Sequence, residues 1–233
     1  MGFEVANKTA LLNGRVYDPF KQTFEKTNIL LIKNKIAGLG YIPDDDDSHQ
    51  IDITDHYVFP NVIIPIIADN NHIELSYNIA IPDTLQLSIH AYTQLHKQIK
   101  DSKKNWHISL QDPNDIPLFN TLLEKGHAIT LSIPCHLITK KTIQTLMPHI
   151  KSRLIQSICC SKNNQTQLFH CFPLLEDQIT ITDIHQLYSG NIITLCNTKL
   201  KGIALTHSPN LTIFNPKTGE IKHTILNGKF CTN

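Results

Sequence analysis

The sequence predicts an α/β protein in which both ends of the chain build one β-sheet module and the middle forms an inserted α/β segment. Three observations predict this arrangement. Short apolar runs separated by turn residues fill the first sixty residues, helix and strand patterns alternate in the middle, and strand patterns return after residue 210. Closely spaced short strands are typical of a small sheet sandwich, whereas alternating strands and helices are typical of a parallel sheet.

The first sixty residues carry the N-terminal strands of this module. The apolar run Ala10–Leu12 leads into Asn13-Gly14, a dipeptide that predicts a hairpin turn. Further strands are predicted at Asn28–Ile32 and at Tyr57–Phe59, the second ending before a proline. Between them, the acidic run Asp44–Asp47 indicates a solvated loop, with metal binding as the alternative.

The middle of the chain alternates between helix and strand patterns, which predicts a parallel α/β topology. The strands are predicted at Trp106–Leu110 and Ala128–Ile133. The helices are predicted at Thr84–Ile99, Asp115–Lys125, Thr139–Met147 and Thr182–Tyr188, with Thr182 as the cap of the last one.

The last thirty residues predict a terminal hairpin. Its strands are Leu211–Phe214 and His223–Leu226, and Asn227-Gly228 follows as a further turn. Together the patterns predict two domains, a composite sheet module of residues 1–60 and 200–233 and an α/β domain of residues 61–199.

Composition and charge exclude several classes of protein. The chain has 233 residues, of which 41% are hydrophobic, so it can bury a large core. Its 21 basic and 20 acidic residues give a net charge of +1, which makes nucleic acid a poor partner. The apolar run Val58–Ala68 is broken by prolines and is too short for a membrane span, which needs roughly 20 residues. Without a basic and then apolar leader pattern, we expect a cytoplasmic protein with reduced cysteines.

Segments at both chain ends and in the middle resemble the cyclic amidohydrolases, and specifically the bacterial dihydroorotase group. Five terminal segments follow the family's order, and the middle resembles a family stretch that runs from a strand ending in "HxS" through a helix to "PHHL". The terminal segments are Asn13–Pro19 (NGRVxDP), Asn28–Gly40 (DILIxxGKIxxIG), Tyr57–Pro60 (xVxPG), Leu211–Pro216 (ADLxIFDP) and Thr224–Lys229 (TIVNGK). The middle ones are Trp106–Ser109, Phe119–Gly126, Ile129-Thr130 and Pro134–Leu137.

The resemblance implies a composite β-sandwich, formed by both termini, that carries a (β/α) barrel. It also implies hydrolysis or closure of a cyclic amide at one or two divalent metal ions, which acidify a bound water and polarise the carbonyl group. A complete barrel needs roughly 200 residues or more. Because residues 61–199 are fewer than that, we expect a truncated, incomplete barrel.

The metal ligands of the family are largely missing from this sequence. Its first two ligands form a His-x-His motif, and Ile66 and Ala68 occupy those two places. His107 falls where the histidine of "HxS" binds metal, and it is the one ligand-type remnant. His136 matches the second histidine of "PHHL", and we do not expect it to be a metal ligand. Because one ligand holds a metal ion poorly, we expect no catalytic residue, no cofactor and no metal site.

These observations predict a catalytically inactive dihydroorotase-like protein that acts as a structural or scaffolding partner. Noncatalytic relatives in this family support aspartate transcarbamoylase, so the resemblance implies that partner and a place in pyrimidine biosynthesis. A trimmed barrel also leaves strand edges and apolar faces, which predicts a protein partner or a homo-oligomer. The alternatives are an active metal-dependent cyclic amidohydrolase with a rearranged zinc site, and a remnant or module with an unrelated binding role.

Overall fold

The structure, a computed structural model, divides the chain into two compact units. Met1–Val62 together with Lys199–Asn233 form one, here called the terminal unit, and Ile63–Thr198 form the other, the central unit. The structure describes residues 8–18, 21–40, 42, 48–60, 65–67, 73–75, 84–88, 105–123, 129–133, 137–152, 155–159, 172–187 and 203–231.

Within these residues the fold is mainly strands, with few helices. The strands are β1 (Lys8–Asp18), β2 (Thr23–Ile32), β3 (Lys35–Leu39), β4 (His49–Asp52), β5 (Tyr57–Pro60), β6 (Pro65–Ile67), β7 (Ile73–Leu75), β8 (Thr84–Ser88), β9 (Asn105–Ser109), β10 (Ile129–Ser132), β11 (Ile155–Cys159), β12 (Leu211–Phe214), β13 (Ile221–Leu226) and β14 (Lys229–Cys231). The helices are α1 (Asp115–Leu123), α2 (Lys140–Lys151), α3 (Phe172–Glu176) and α4 (Ile181–His185).

The terminal unit is one eight-stranded mixed sheet to which both chain ends contribute. Its order is β14-β13-β12-β5-β1-β2-β3, and β4 pairs with β1 beside this path. The strand β5 joins the two ends of the chain, because it runs parallel to β1 and antiparallel to β12. Val58 of β5 is therefore opposite Val16 on one side and Ile213 on the other.

The predicted hairpin turn at Asn13-Gly14 is wrong, because both residues lie inside β1. The strand pairs with β2 before and after this point, with a register shift between Leu11 and Gly14. Asn13 has a φ of 63°, the left-handed conformation that suits both a turn and a bulge. The bulge lets β1 pair with β4 along its first half and with β5 along its second half.

A hydrophobic core of the terminal unit is formed by residues of β1, β2, β3, β5, β12 and β13 together with Ile53. Strands from both ends of the sheet order therefore contribute to the same core. The core residues are Leu11, Val16, Ile29, Leu31, Ile36, Ile53, Val58, Leu211, Ile213 and Ile225.

The central unit contains a four-stranded parallel sheet of order β11-β10-β9-β8, and β6 and β7 form a separate antiparallel pair. The helix α1 follows β9, and α2 follows β10, so the predicted parallel alternation is confirmed. The predicted helix at Thr84–Ile99 is wrong at its start, because Thr84–Ser88 is β8. There Leu85 and Leu87 alternate with polar residues, which is the period of a strand. Residues 89–99 lie outside the described part of the chain, as do Asp44–Asp47.

Two predicted helices have different ends in the structure. The helix α2 has Thr139 at its N-cap, where the hydroxyl accepts a hydrogen bond from the amide of Thr142, and it continues past Met147 to Lys151. The helix α4 is capped by Thr180, not by Thr182 as predicted. The Thr180 hydroxyl accepts from the amide of Asp183 and donates to its carboxylate, which fixes the start of the helix.

None of the helices in the described ranges has the length and apolar character of a membrane span.

Candidate functional site

The carboxyl ends of the four parallel strands in the central unit form a row of hydroxyl and thiol residues. Ser88 is opposite Ser109, Ser109 is opposite Ser132, and Ser132 is opposite Cys159. Each is the last residue of its strand. Ligands of barrels and of open parallel sheets bind at this edge, because the loops after the strands form a cleft there.

A second row of polar residues lies two positions earlier on the same strands. It consists of Gln86, His107, Thr130 and Ser157, aligned in register. Since alternate residues of a strand share a face of the sheet, the two rows belong to one face, which we call the polar face.

The opposite face of this sheet is apolar and is packed. Leu87, Ile108, Leu131 and Ile158 form its register row. Ile108, Leu131 and Ile158 are completely or almost completely buried, whereas Ser109 on the polar face is half-buried and Ser88 is exposed. The sheet therefore has a packed side and a side on which polar groups approach solvent.

The helices of this unit bury one side each. The helix α1 buries Ile116 and Phe119, and α2 buries five residues spaced along one face. The two helices contact each other, and Nε2 of His149 lies 2.6 Å from the Asn120 Oδ1 atom between them. Because a carboxamide oxygen accepts, this nitrogen carries the proton and donates.

The structure places the predicted ligand-type residue His107 on the polar face. In register it is flanked by Gln86 and Thr130, which are neither imidazole nor carboxylate residues. Ile66, at the first family ligand position, is the middle residue of β6 and is opposite Glu74 in the β6–β7 pair. Ala68 and His136 lie outside the described residues. Over the described ranges, no three histidine, cysteine or acidic residues are grouped so that they could hold a metal ion.

Sequence reasoning missed the two polar rows, although the sequence contains a signal for them. Three of the strands end in the same apolar-polar-apolar-serine pattern, at residues 85–88, 106–109 and 129–132. The fourth strand, β11, has one additional residue opposite the step from Ile129 to Thr130 of β10. Because of this residue, its sequence does not show the same repeat. A search for a repeated strand ending would have found the site that a search for His-x-His did not.

A separate crevice of about 350 Å³ lies among α2, α3 and α4 in the same unit. Its lining includes Lys151, Glu176, Asp177 and Asp183. Burial, and then the neighbouring charge of Asp177, raise the pKa of the Glu176 carboxyl group. One of its lining carboxylates, that of Asp183, accepts a hydrogen bond from the Thr180 hydroxyl at the start of α4.

No family model and no curated protein matches the chain. Solved structures do match it. The D-hydantoinase (dihydropyrimidinase) from Thermus sp. matches with a TM-score of 0.60 and 8% identity over 97% of this chain and 95% of that one. The dihydropyrimidinase from Brevibacillus agri matches with a TM-score of 0.56 and 11% identity over 96% of this chain and 94% of that one.

At such low identity the likeness concerns the fold alone. The fold of these hydantoinase and dihydropyrimidinase structures agrees with the fold that the resemblance to the amidohydrolases implies. The specific resemblance to the dihydroorotases stays a prediction. The chain therefore has a fold similar to the folds of these two structures.

Proposed function

We propose that this chain is a catalytically inactive, dihydroorotase-like member of the amidohydrolase superfamily that serves as a structural partner of another protein. The observation that carries the proposal is the identity of the residues at the first two ligand places. The side chains of Ile66 and Ala68 have no atom that can bind a metal ion. A metal-dependent hydrolase needs several imidazole and carboxylate ligands that converge on one point.

The position of Ile66 in the fold adds support. It belongs to a short antiparallel pair with β7, whereas β8–β11 form the parallel sheet. The proposed architecture is a composite β-sandwich, contributed by residues 1–60 and 200–233, with a truncated barrel in residues 61–199. Four parallel strands in the described part of that segment are half of the eight that a complete barrel contains.

The scaffolding role follows from the edges that a truncated barrel leaves. In the described part of the chain the parallel sheet ends at β8 and β11, and an end strand offers backbone donors and acceptors to another chain. The proposed occupant is a second copy of this chain or a protein partner. The resemblance favours aspartate transcarbamoylase, which would place the protein in the cytoplasm and in pyrimidine biosynthesis.

Inactivity is tested by elemental analysis of the purified protein together with assays of dihydroorotate and hydantoin turnover. We expect less than stoichiometric zinc and no turnover above the background. His107→Ala should leave both unchanged, as should His49→Ala, a control on the exposed strand β4. Stoichiometric zinc or clear turnover in the wild-type protein would overturn the proposal.

The scaffolding role is tested separately by light scattering and by mixing the protein with purified aspartate transcarbamoylase. We expect a homo-oligomer or a stable complex with that enzyme. A monodisperse monomer that neither associates with itself nor binds the enzyme would contradict the role, whatever the result of the metal analysis.

One observation favours the second candidate function, an active cyclic amidohydrolase with a rearranged zinc site. His107 lies on the polar face, two residues before the strand end, and barrel enzymes carry their catalytic groups at this edge. In that case zinc would bind stoichiometrically, and His107→Ala would remove both the zinc and the turnover while His49→Ala would keep them.

A further inference from the structure

In the terminal unit, three basic residues lie near enough for two of them to act electrostatically on the third, where the C-terminal hairpin passes the turn between β4 and β5. The ammonium group of Lys222 in β13 donates to the main-chain oxygen of Asp52 over 2.8 Å. Nδ1 of His56 lies 2.8 Å from the main-chain oxygen of Thr54, and because a carbonyl oxygen only accepts, this nitrogen donates. The third side chain is that of His223. The Lys222 contact joins residues that are 170 positions apart in sequence.

An irregularity in the backbone of β13 affects the directions of the Lys222 and His223 side chains. In its pairing with β12, His223 is opposite Ile213 and Ile221 is opposite Phe214, so Lys222 is an additional residue in the strand. A bulge of this kind re-aims the side chain that it contains. His223 shares its face of the strand with Ile225, a fully buried core residue.

His223 therefore lies at the rim of the hydrophobic core. Its ring meets the ring of Phe230 edge to face, with 5.7 Å between the ring centres. The charged groups that act on it from the described residues are Lys222, on its own strand, and His56, in the β4–β5 turn, and both are basic. The nearby acid Asp52 is held by Thr54 and Asn13 instead.

We propose that His223 is an acid-sensitive latch between the C-terminal hairpin and the β4–β5 turn. While neutral, it packs against Phe230 and leaves Lys222 in place on Asp52. Once protonated, it is a half-buried charge beside the basic residues Lys222 and His56, and the β13–β14 hairpin loosens from the turn.

The pH range follows from the titration of His223. Burial, then the charge of Lys222 and that of His56, lower the pKa of His223 below its usual 6.5. The loosened state, in which these effects are weaker, binds a proton more readily. The contact is thus fully stable above pH 6.5 and weakens as the pH falls through the lower pKa of the closed state.

Hydrogen–deuterium exchange of the full chain, measured by mass spectrometry between about pH 5 and 8 and corrected for intrinsic exchange, tests the latch. We expect residues 221–231 to lose protection several-fold at the acidic end in the wild-type protein. His223→Gln should keep its protection there, because glutamine does not titrate. His49→Gln, in the neighbouring strand β4, should behave like the wild type.

His56→Gln provides an independent check if His223→Gln folds poorly. It removes one of the charges that disfavour protonated His223, so the loss of protection at the acidic end should be smaller than in the wild type. The proposal is overturned if wild-type protection does not change with pH, or if His223→Gln and His56→Gln both lose protection as the wild type does.

Discussion

Gly228, in the turn between β13 and β14, lies directly against the main-chain carbonyl group of Asn34, in the turn between β2 and β3. A Cβ atom at Gly228 would overlap the carbonyl oxygen, the carbonyl carbon and the Cα atom of Asn34. The amide of Gly228 also donates to the main-chain oxygen of Pro209 over 2.8 Å. Turns from the two ends of the chain therefore touch through their backbones, and the contact leaves no room for a side chain.

We predict that Gly228→Ala destabilises the protein by more than about 2 kcal/mol, because it adds a backbone overlap to an unfavourable φ of +78°. Gly40→Ala is the matched control. Gly40 has a φ of +91° and no atom within 4 Å of the position that a Cβ atom would take, so it should lose only about 1 kcal/mol. Urea unfolding of both variants measures the difference. Equal losses would mean that the turns do not constrain each other.

The bulge in β1 leads to a second prediction. A Cβ atom at Gly14 would overlap Cδ1 of Ile53, which is fully buried. Gly14→Ala should therefore destabilise the protein by about 1–3 kcal/mol through overpacking. Ile53→Val removes that methyl group and should cost about 0.5–1.5 kcal/mol by itself.

The double variant decides whether these two positions are in contact. Because the smaller valine gives the new methyl group space, the combined loss should be clearly less than the sum of the two single losses. Thermal or urea unfolding of the four proteins completes the cycle. Strictly additive losses would contradict the packing of Ile53 on the bulge.

Asp52 provides a prediction about acid titration. Its carboxylate accepts from the hydroxyl and the amide of Thr54 and from the Asn13 side chain, and these bonds lower its pKa below 3.8, with the Thr54 hydroxyl contributing most. The stabilisation is present above the ordinary value and is lost as the pH falls through the lowered one.

Nuclear magnetic resonance titration of this carboxyl group measures the effect. Thr54→Val, which removes the hydroxyl, should raise the pKa of Asp52 towards 3.8, and Thr54→Ser, which keeps it, should leave the pKa low. The same titration curve in both variants would show that the hydroxyl does not hold the carboxylate.

Local patterns were sufficient to predict β9, β10, most of α2 and the C-terminal hairpin, because period and capping residues specify such elements within a few positions. They failed at Asn13-Gly14, since the same dipeptide serves a turn and a bulge. The pairing of β1 with β4 and β5, which are distant in sequence, decides between the two.

The candidate site shows the same limit. The sequence placed His107 on a strand, and the strand exists. That Gln86 and Thr130 lie beside His107 could not be predicted, because it depends on the register of three separate strands. Register depends on packing between distant segments, so the sequence of one segment does not determine it.

The assignment of two different faces to the parallel sheet leads to the last prediction. Leu131 is fully buried on the apolar face, and Ser109 is half-buried on the polar face of the adjacent strand. Leu131→Ala should destabilise the protein by about 2–5 kcal/mol because it opens a cavity. Ser109→Ala should cost less than about 1 kcal/mol, since its hydroxyl can exchange protein partners for water. Urea unfolding compares the two variants. A loss for Ser109→Ala as large as that for Leu131→Ala would mean that the polar face is packed like a core and is not open to a ligand.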